Sequence, residues 1–305
     1  MDKGNVYYKQ VQMLIQVLPL IASEKCFALK GGTAINLFVR ELPRLSVDID
    51  LIYLPIKSRD DSLKDIQQAL GRISSVIEAN LAGTSVYKSY EDKPDALRLI
   101  VHREGVQIKV ELSPVLRGTV YGHVVMSVSE PVEIEFGYAE MQVVSMADLY
   151  AGKICAALDR QHPRDLFDIK LLLENEGLTD ELRKASLVYL ISHNRPIAEL
   201  LSPTLQDISA LYESEFSKMT VSGITVHDLV AARAQLIQQL KSSITSDEKE
   251  FLLSFKQRSP DWDLLGLECV ENLPAVRWKL FNLKRMSRDK HADALQRLQT
   301  ILSQF

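Results

Sequence analysis

The sequence predicts an α+β protein whose N-terminal half forms a mixed sheet with flanking helices and whose C-terminal half is helical. Up to about residue 143, short apolar segments with the two-residue alternation of strands are separated by segments with helical spacing. After Ser145 the strand patterns end and helix-start signals recur. The length of 305 residues fits about two domains, which we expect at residues 1–143 and 144–305.

Segments of the first half alternate between strand and helix patterns. Period-two alternation with β-branched and aromatic residues indicates strands, and apolar residues three and four apart indicate a helix. The predicted strands are CFALK (26–30), VDIDLIY (47–53), ALRLIVHRE (96–104), VQIKVELSP (106–114) and VEIEFG (132–137), with a helix at 61–81.

Helix-start signals mark the second half. A Ser or Thr followed three residues later by an acid can form a capping box, and proline is favoured at the first helical position. These signals predict helix starts at Ser145 with Asp148, at Thr225 with Asp228, at Pro163 and at Pro274.

Composition argues against several classes of protein. The apolar segment at residues 11–22 is too short to span a membrane, is interrupted by Gln and Pro, and lacks a cleavage site of small residues. Cys26, Cys155 and Cys269 are far apart and form no C-x-x-C pair, which is typical of a reducing compartment and argues against structural zinc. We therefore expect a cytoplasmic protein that is neither exported nor bound to a membrane.

The predicted strand at 47–53 carries two aspartates among apolar residues. Asp48 and Asp50 share one face of the strand with Ser46, while the apolar residues between them share the other. The Cα atoms of the two aspartates should lie roughly 6.5–7 Å apart, close enough for both carboxylates to bind one divalent ion or a bridged pair. Mg²⁺ prefers a few carboxylates completed by phosphate oxygens and water, so the pattern favours Mg²⁺, with Mn²⁺ as an alternative.

A third acid is available if the predicted strand at 106–114 lies beside the first, because Glu111 lies on its polar face. The alternative for these acids is the solvated side of a sheet with one wet face, and for a single acid that alternative is the more common. As a set that follows a double glycine, Asp48, Asp50 and Glu111 favour a metal site.

A double glycine precedes the acidic strand. Gly31 and Gly32 follow a predicted strand and precede the helix-like TAINLFVRE, and Thr33 adds a hydroxyl at the same turn. Glycine lets backbone N–H groups approach an anion, and a helix N-terminus adds a favourable dipole, so the turn predicts a phosphate cradle. It is neither a Walker A loop nor a G-x-G-x-x-G fingerprint, so kinase and dinucleotide-binding functions lack their main support.

In order and spacing, K-G-G-T-A-I-N-L followed by R-L-S-V-D-I-D-L resembles the signature of the DNA polymerase β nucleotidyltransferase superfamily. The form is that of the AbiEii/AbiGii nucleotidyltransferase toxins of abortive-infection and type IV toxin–antitoxin systems. The resemblance spans most of the chain, is strongest at residues 27–53 and 145–173, and is weak between 174 and 258. It implies a polymerase-β-like nucleotidyltransferase domain followed by a helical domain.

The resemblance also assigns residues in the helical half, within S-M-A-D-L-Y-A-G-K-I-C-A-A-L-D-R-Q-H-P-R-D-L-F-D-I. In the family, a lysine on the first helix and an aspartate of an R-D-x-x-D segment complete the active site. Here these residues are Lys153 and either Asp165 or Asp168, which residues 144–305 would contribute to the cleft. Helical spacing lets Arg160 turn to the same side as Lys153, and the two cations could bind a triphosphate.

The activity that the resemblance implies is transfer of a nucleoside monophosphate from an NTP to an RNA acceptor such as tRNA, with release of pyrophosphate. Asp48 and Asp50 would hold Mg²⁺ against the triphosphate, the Gly-Gly-Thr turn and Ser46 would contact the nucleotide, and Lys153 would neutralise charge on the pyrophosphate. Glu111 or an acid of the R-D-x-x-D segment would assist the metal or the nucleophile.

The implied biology is a growth-inhibiting toxin that is neutralised by the product of an adjacent antitoxin gene. Two other functions stay open. A small-molecule nucleotidyltransferase of the aminoglycoside-modifying type would act on a free hydroxyl compound without RNA, and an inactive member of the family would serve as a binding partner in its operon. The presence of Asp48, Asp50 and Lys153 argues against the inactive member.

A basic segment lies near the C-terminus. From Arg277 to Lys290 the chain has six Lys or Arg residues against one acid, although its formal net charge is −4. On the predicted helix we expect Trp278, Leu280 and Leu283 in the core. A basic face that could contact nucleic acid would consist of Arg277, Lys279 and Lys284.

Overall fold

The computed structural model describes residues 4–220 and 223–305. These residues form two compact units. The first unit comprises Met1–Ser145 together with Lys218–Gly223, and the second comprises Met146–Ser217 together with Ile224–Phe305.

The first unit is built on a mixed sheet, which confirms the predicted α+β class. Its strands are β1 (Phe27–Lys30), β2 (Asp48–Tyr53), β3 (Thr84–Lys88), β4 (Arg98–Arg103), β5 (Val106–Leu112), β6 (His123–Ser127) and β7 (Glu140–Val144). Their order across the sheet is β3-β4-β5-β2-β1-β7-β6. β2 runs parallel to β5, and β1 runs parallel to β7, while the other neighbouring strands are antiparallel. β2 therefore lies at the centre of the sheet.

The helices of the first unit pack on this sheet, with α1 on β5 and β7 and α3 on β3 and β4. The predicted helix at 61–81 is confirmed as α3. The helices are α1 (Val6–Ile21), α2 (Gly31–Thr33), α3 (Arg59–Asn80), α4 (Ser89–Asp92) and α5 (Glu130–Phe136), and a π-helix (Ala34–Val39) directly follows α2.

The second unit is helical, as predicted. Its helices are α6 (Met146–Asp159), α7 (Pro163–Asn175), α8 (Asp180–Ser192), α9 (Ile197–Leu201), α10 (Ser209–Glu215), α11 (Val226–Ser243), α12 (Ser246–Lys256), α13 (Pro274–Arg285) and α14 (Arg288–Leu302), with 3₁₀ turns at Trp262–Leu264 and Val270–Asn272. The predicted starts of α7 and α13 at prolines are confirmed, as is the capping box of Thr225 and Asp228 at α11. None of the described helices is long and apolar enough to cross a membrane.

The predicted strands at β1, β2, β4 and β5 are confirmed. In β2, Ile49 and Leu51 are fully buried, whereas Asp48 and Asp50 are partly exposed. β5 alternates in the same way, with Ile108 buried. Burial of one face fixes the register of such strands, because a slip of one residue would exchange the two faces.

The predicted strand VEIEFG is wrong, because this segment lies in helix α5. Ser129 takes the N-cap position, proline follows at the start of the helix, and Gly137 ends it with φ of 103°. Only Val132 of the alternating residues is fully buried, while Ile134 is 78% exposed. The capping and terminating signals therefore outweigh the period-two alternation here.

The sequence patterns missed β3, β6 and β7. β3 and β6 are the two edge strands, and edge strands often lack a continuous apolar face. In β6 the consecutive residues Val124 and Val125 are both exposed, so alternation gives no signal there. β7 lies at 140–144, directly before the expected end of the strand patterns.

A segment from late in the sequence pairs with the chain just before β2. The backbone of Arg44 forms an isolated antiparallel bridge with Thr220, and the N–H of Leu45 donates to the carbonyl oxygen of Met219 at 2.8 Å. The Thr220 hydroxyl also donates to the carbonyl oxygen of Pro43 at 3.0 Å. These bonds fix the backbone that leads into the acidic strand.

The capping box at α11 gives a stability test. Thr225→Ala removes the hydroxyl that accepts a hydrogen bond from the Asp228 N–H, so we expect the midpoint of thermal unfolding to fall by about 2–4 °C. Thr300→Ala is the matched control, because Thr300 lies inside α14 and its hydroxyl donates only along the helix, to Gln296. Equal midpoints for the two variants in calorimetry would contradict a stabilising cap.

Candidate active site

The two aspartates of β2 lie on its partly exposed face. β2 is paired on both sides, with β1 and with β5, so its backbone is a rigid support for the carboxylates. Ser46 precedes the strand on the same side and is 7% exposed. The predicted division of β2 into an acidic face and an apolar face is therefore confirmed.

Glu111 lies next to Asp50 in the sheet. The parallel pairing of β2 with β5 sets Asp50 opposite Glu111 and Asp48 opposite Lys109. The carboxylate of Glu111 forms an ion pair with Nε of Arg98 on β4. We call Asp48, Asp50 and Glu111 the acid face. The use of Glu111 as a metal ligand requires its release from Arg98 and stays a prediction.

The glycine turn lies directly beside Asp50. β1 pairs antiparallel with β2 so that Lys30, its last residue, is opposite Asp50, and Gly31 follows at once. Gly31 has φ of 75°, a backbone conformation that favours glycine. A Cβ at this position would overlap Oδ2 of Asp50 and lie 3.1 Å from its Cγ. Glycine is thus needed both for the turn and for the close approach of the Asp50 carboxylate.

Gly32 faces a buried arginine that was not predicted as a site residue. A Cβ on Gly32 would lie 2.8 Å from Nη2 of Arg44 and 2.9 Å from Oγ of Ser46. Arg44 is 2% exposed, and its Nη1 donates to the carbonyl oxygen of Leu45 at 2.9 Å. No local sequence pattern marks Arg44, because it lies outside β2 and its position depends on Met219 and Thr220. Arg44 places a guanidinium against the glycine turn.

Thr33 is fully buried and binds the turn to the acidic strand. Its hydroxyl donates to the backbone carbonyl oxygen of Asp48 at 2.5 Å and lies 3.1 Å from Oγ of Ser46. This arrangement gives Thr33 a positioning role for the strand. Direct contact of Thr33 with phosphate stays a prediction.

The acid face fits a divalent ion that prefers oxygen ligands. Asp48 and Asp50 offer carboxylate oxygens on a partly exposed surface, and Gly31 keeps the space beside Asp50 clear of a side chain. Among residues 4–220 and 223–305, no group of three or more His, Cys, Asp or Glu side chains is placed to hold a metal ion. A pair of partly exposed carboxylates suits Mg²⁺, which usually completes its coordination with water and substrate phosphates.

In the second unit, Lys153 is buried between two carboxylates. Lys153 lies on α6 and is 7% exposed, and its Nζ is 2.8 Å from Oδ1 of Asp165 and 3.1 Å from Oδ2 of Asp168. Both aspartates lie near the start of α7 and are fully buried. The structure thus brings the predicted lysine together with both candidate acids of the R-D-x-x-D segment.

Arg160 completes this group, which we call the lysine cluster: Lys153, Arg160, Asp165 and Asp168. The Arg160 guanidinium donates to both oxygens of Asp165, from Nε at 2.6 Å and from Nη2 at 3.1 Å. Burial alone would raise the pKa of Asp165, but Lys153 and Arg160 outweigh it and hold that pKa well below its usual range. Asp165 is therefore ionised at neutral pH.

His162 fixes the start of α7 and with it the position of Asp165. Its Nδ1 accepts a hydrogen bond from the Arg164 N–H at 3.1 Å, so Nε2 carries the proton and donates to Glu215 at 3.1 Å. Burial lowers the pKa of His162, which favours this neutral form. The histidine therefore has a structural role.

Comparisons with known proteins match most of the chain. Residues 12–282 match the profile of the family described as nucleotidyl transferase AbiEii toxin, type IV toxin–antitoxin system. The fold is similar to that of MenT4, a nucleotidyltransferase toxin from Mycobacterium tuberculosis H37Rv, with a TM-score of 0.62 and 14% identity over 96% of this chain and 93% of that chain. No curated protein matches by sequence.

Gly31→Ala tests the close approach between the glycine turn and Asp50. We expect the variant to lose binding of Mn²⁺, measured by isothermal titration, because the methyl group displaces the Asp50 carboxylate. Gly83→Ala is the matched control, since Gly83 has φ of 73° and open space around its Cβ position. Both variants should carry backbone strain of about 1 kcal/mol. Unchanged Mn²⁺ binding by Gly31→Ala would contradict the proposed contact of the turn with the ion site.

Asp165→Asn tests the charge balance of the lysine cluster. The variant leaves Lys153 with one less carboxylate, so we expect it to lose about 3 kcal/mol of unfolding free energy at pH 7. Because the pKa of Asp165 is lower in the folded protein, its carboxylate contributes stability that is full above the unfolded pKa of about 3.9 and is lost as the pH falls further.

The difference between wild type and Asp165→Asn should therefore shrink as urea unfolding is repeated at pH values below about 4. The control is Asp261→Asn, which changes an exposed aspartate of the same unit and should shift stability little at either pH. A difference that stays constant from pH 7 to pH 3 would show that the Asp165 carboxylate does not carry the effect.

Proposed function

Since this chain belongs to the family of AbiEii nucleotidyltransferase toxins of type IV toxin–antitoxin systems, we propose that it transfers a nucleoside monophosphate from an NTP to an RNA acceptor such as tRNA, in a reaction that depends on Mg²⁺. The observation that supports the metal-dependent reaction best is the pair Asp48 and Asp50 on the partly exposed face of β2, beside Gly31. The family also implies a cognate antitoxin as partner, and we propose that this chain acts in the cytoplasm.

Asp48 and Asp50 would hold the divalent ion, with Mn²⁺ as an alternative to Mg²⁺. When bound, the ion supplies neutralisation of phosphate charge and helps to align the triphosphate. The sheet keeps the two carboxylates at fixed spacing before any ligand arrives, so little reorganisation is needed. Glu111 would join them only after its ion pair with Arg98 opens.

The glycine turn would hold phosphates through its backbone. Gly31 and Gly32 lack the side chains that would block the approach of an anion to their N–H groups. Ser46 and the Arg44 guanidinium lie against Gly32 and would add a hydroxyl and a positive charge on the same side. Thr33 would hold this cradle in place by its hydrogen bond to the backbone carbonyl oxygen of Asp48.

In the lysine cluster, both Asp165 and Asp168 form ion pairs with Lys153, and Lys153 with Arg160 would neutralise charge on the pyrophosphate. A carboxylate whose pKa lies well below its usual range is a poor proton acceptor at neutral pH. Asp165 is such a carboxylate because both Lys153 and Arg160 bind it. We therefore propose Asp165 as a positioning residue, and not as the acid that assists the nucleophile.

The transfer reaction itself asks little covalent chemistry of the chain. The attacking hydroxyl must be held in line with the α-phosphate and the developing charge must be neutralised. Two carboxylates with their ion, a glycine cradle and a lysine supply these functions without a covalent intermediate. This assignment gives no catalytic role to the cysteines, of which Cys155 is buried and has a raised pKa.

A labelling experiment tests this function. The protein is incubated with total RNA, Mg²⁺ and each of the four NTPs labelled at the α-phosphate, and we expect labelled RNA with at least one NTP. Asp48→Asn and Asp50→Asn should lower the rate by about 100-fold or more, because each removes a carboxylate that holds the ion. Asp60→Asn is the control, because Asp60 is an exposed acid in the first turn of α3.

Each result decides one part of the proposal. The absence of RNA label with all four NTPs would contradict RNA transfer, and label found on small hydroxyl compounds instead would support the aminoglycoside-type reaction. Equal rates with Mg²⁺ and with a chelator would contradict metal dependence. Equal growth inhibition by wild type and Asp48→Asn in cells would show that toxicity does not depend on catalysis.

A further inference from the structure

Helix α13 exposes two stacked aromatic rings. Trp278 and Phe281 are 50% and 48% exposed, their ring centroids are 5.6 Å apart, and their planes meet at 18°. The expectation that Trp278 lies in the core is wrong. Val276 and Leu283 take the buried side of α13 instead, which leaves the two rings on the outer side. A stacked aromatic pair with about half of its surface exposed to solvent is uncommon on the surface of a domain.

The helix that carries the two rings also carries positive charges. Cζ of Arg285 lies 5.2 Å from the centroid of the Phe281 ring, in cation–π contact. Arg277 and Lys284 are exposed on the same helix. In the part of the chain that the structure describes, none of these three cations forms an ion pair with a carboxylate. Their charges are thus available to an anionic partner.

Lys279, which was expected on the basic face, has a different role. Its Nζ donates to the carbonyl oxygens of His193, Asn194 and Arg195, which follow the end of α8, and the last two distances are 3.2 and 2.9 Å. Burial lowers the pKa of Lys279 to about 8, with help from the nearby charge of Lys256. Lys279 therefore anchors α13 to the end of α8 and fixes the direction in which the aromatic pair points.

We propose that Trp278, Phe281, Lys284 and Arg285 form a surface that binds unpaired nucleotides of RNA, which we call the α13 surface. This inference rests on the proposed function, because it supplies a contact for the RNA acceptor. Bases stack on exposed aromatic rings, and cations beside the rings bind the phosphates between the bases. The positive charge without carboxylate partners favours a polyanion over an apolar protein surface.

The α13 surface belongs to the same packed unit as the lysine cluster. α13 packs against α8, and α8 packs against α6, which carries Lys153. Lys279 ties the first of these helix pairs together by three hydrogen bonds. RNA bound at α13 would therefore be held at a fixed position relative to Lys153.

The two tryptophans of the chain allow a direct test. Trp262 packs against Phe251 and Phe255 at centroid distances of 5.4 and 6.2 Å, so Trp262→Phe leaves Trp278 as the only indole. The probe is an unstructured single-stranded RNA of about 16 nucleotides, and heparin serves as a polyanion without bases. We expect the RNA to quench the fluorescence of Trp278 and heparin to leave it nearly unchanged.

The double variant Trp278→Leu/Phe281→Leu should bind this RNA about tenfold or more weakly, because leucine keeps an apolar surface but removes the stacking faces. Lys284→Ala/Arg285→Ala should also reduce the slope of log affinity against log salt, by about 0.7 for each phosphate that the variant no longer neutralises. Tyr138→Leu is the control, since Tyr138 is a 55% exposed aromatic residue of the first unit. For each variant, a midpoint of thermal unfolding equal to that of the wild type would show that the variant is folded.

Unchanged RNA affinity in the leucine variant, or unchanged Trp278 fluorescence at saturating RNA, would overturn the α13 surface. If wild type labels RNA and both α13 variants label it equally well at limiting RNA, the proposed function stands and this inference fails. If no NTP gives label but RNA quenches Trp278 and the leucine variant binds weakly, the inference stands and RNA nucleotidyl transfer fails.

Discussion

The pairing of β2 between β1 and β5 is the constraint on which the acid face depends. One register sets Lys30 opposite Asp50 and so brings the following glycine against the Asp50 carboxylate. The other sets Asp50 opposite Glu111. A slip of one residue would turn both aspartates of β2 toward the core, where unpaired carboxylates are very costly. The apolar residues that stabilise the sheet therefore also determine where the acids point.

The lysine cluster follows a different physical rule, because its charges are buried and must be balanced. An ammonium and two carboxylates with almost no exposure lose their hydration, and their mutual attraction offsets that loss only with close geometry. Well-packed apolar residues often serve stability as well or better at such positions. Lys153, Asp165 and Asp168 are thus better explained by a requirement for fixed charges than by a requirement for stability.

Much of the first unit follows from the sequence because β2 and β5 bury one face and expose the other. This difference between the two faces produces an alternation of apolar and polar residues that a single sequence shows. The alternation identified Asp48, Asp50 and Glu111 as acids on the polar faces of their strands. VEIEFG shows the limit of the same signal, since its alternation is real but its proline and glycine neighbours make a helix. Among the described residues, an alternating pattern predicts a strand correctly only where the residues at the ends of the segment do not favour a helix.

Arg44 and Trp278 show what sequence patterns could not reveal. Arg44 is placed by bonds from its neighbours to Met219 and Thr220, about which the local sequence carries no information. Trp278 was expected in the core, yet Val276 and Leu283 fill the buried side of α13. Which of several apolar residues on a helix faces inward depends on the surface that it packs against, and that surface comes from other parts of the chain.

Glu111 has two uses that exclude each other, as a partner of Arg98 and as a ligand of the ion. As a direct neighbour of Asp50 across the sheet, it adds like-charge repulsion, which destabilises such a pair. Arg98 offsets this repulsion by pairing with Glu111 from the other side. A carboxylate that is already bound to a guanidinium is a weaker ligand for a cation, because part of its charge is compensated. The ion proposed for the acid face therefore depends first on Asp48 and Asp50. Glu111 can join only when the attraction of the ion exceeds that of Arg98.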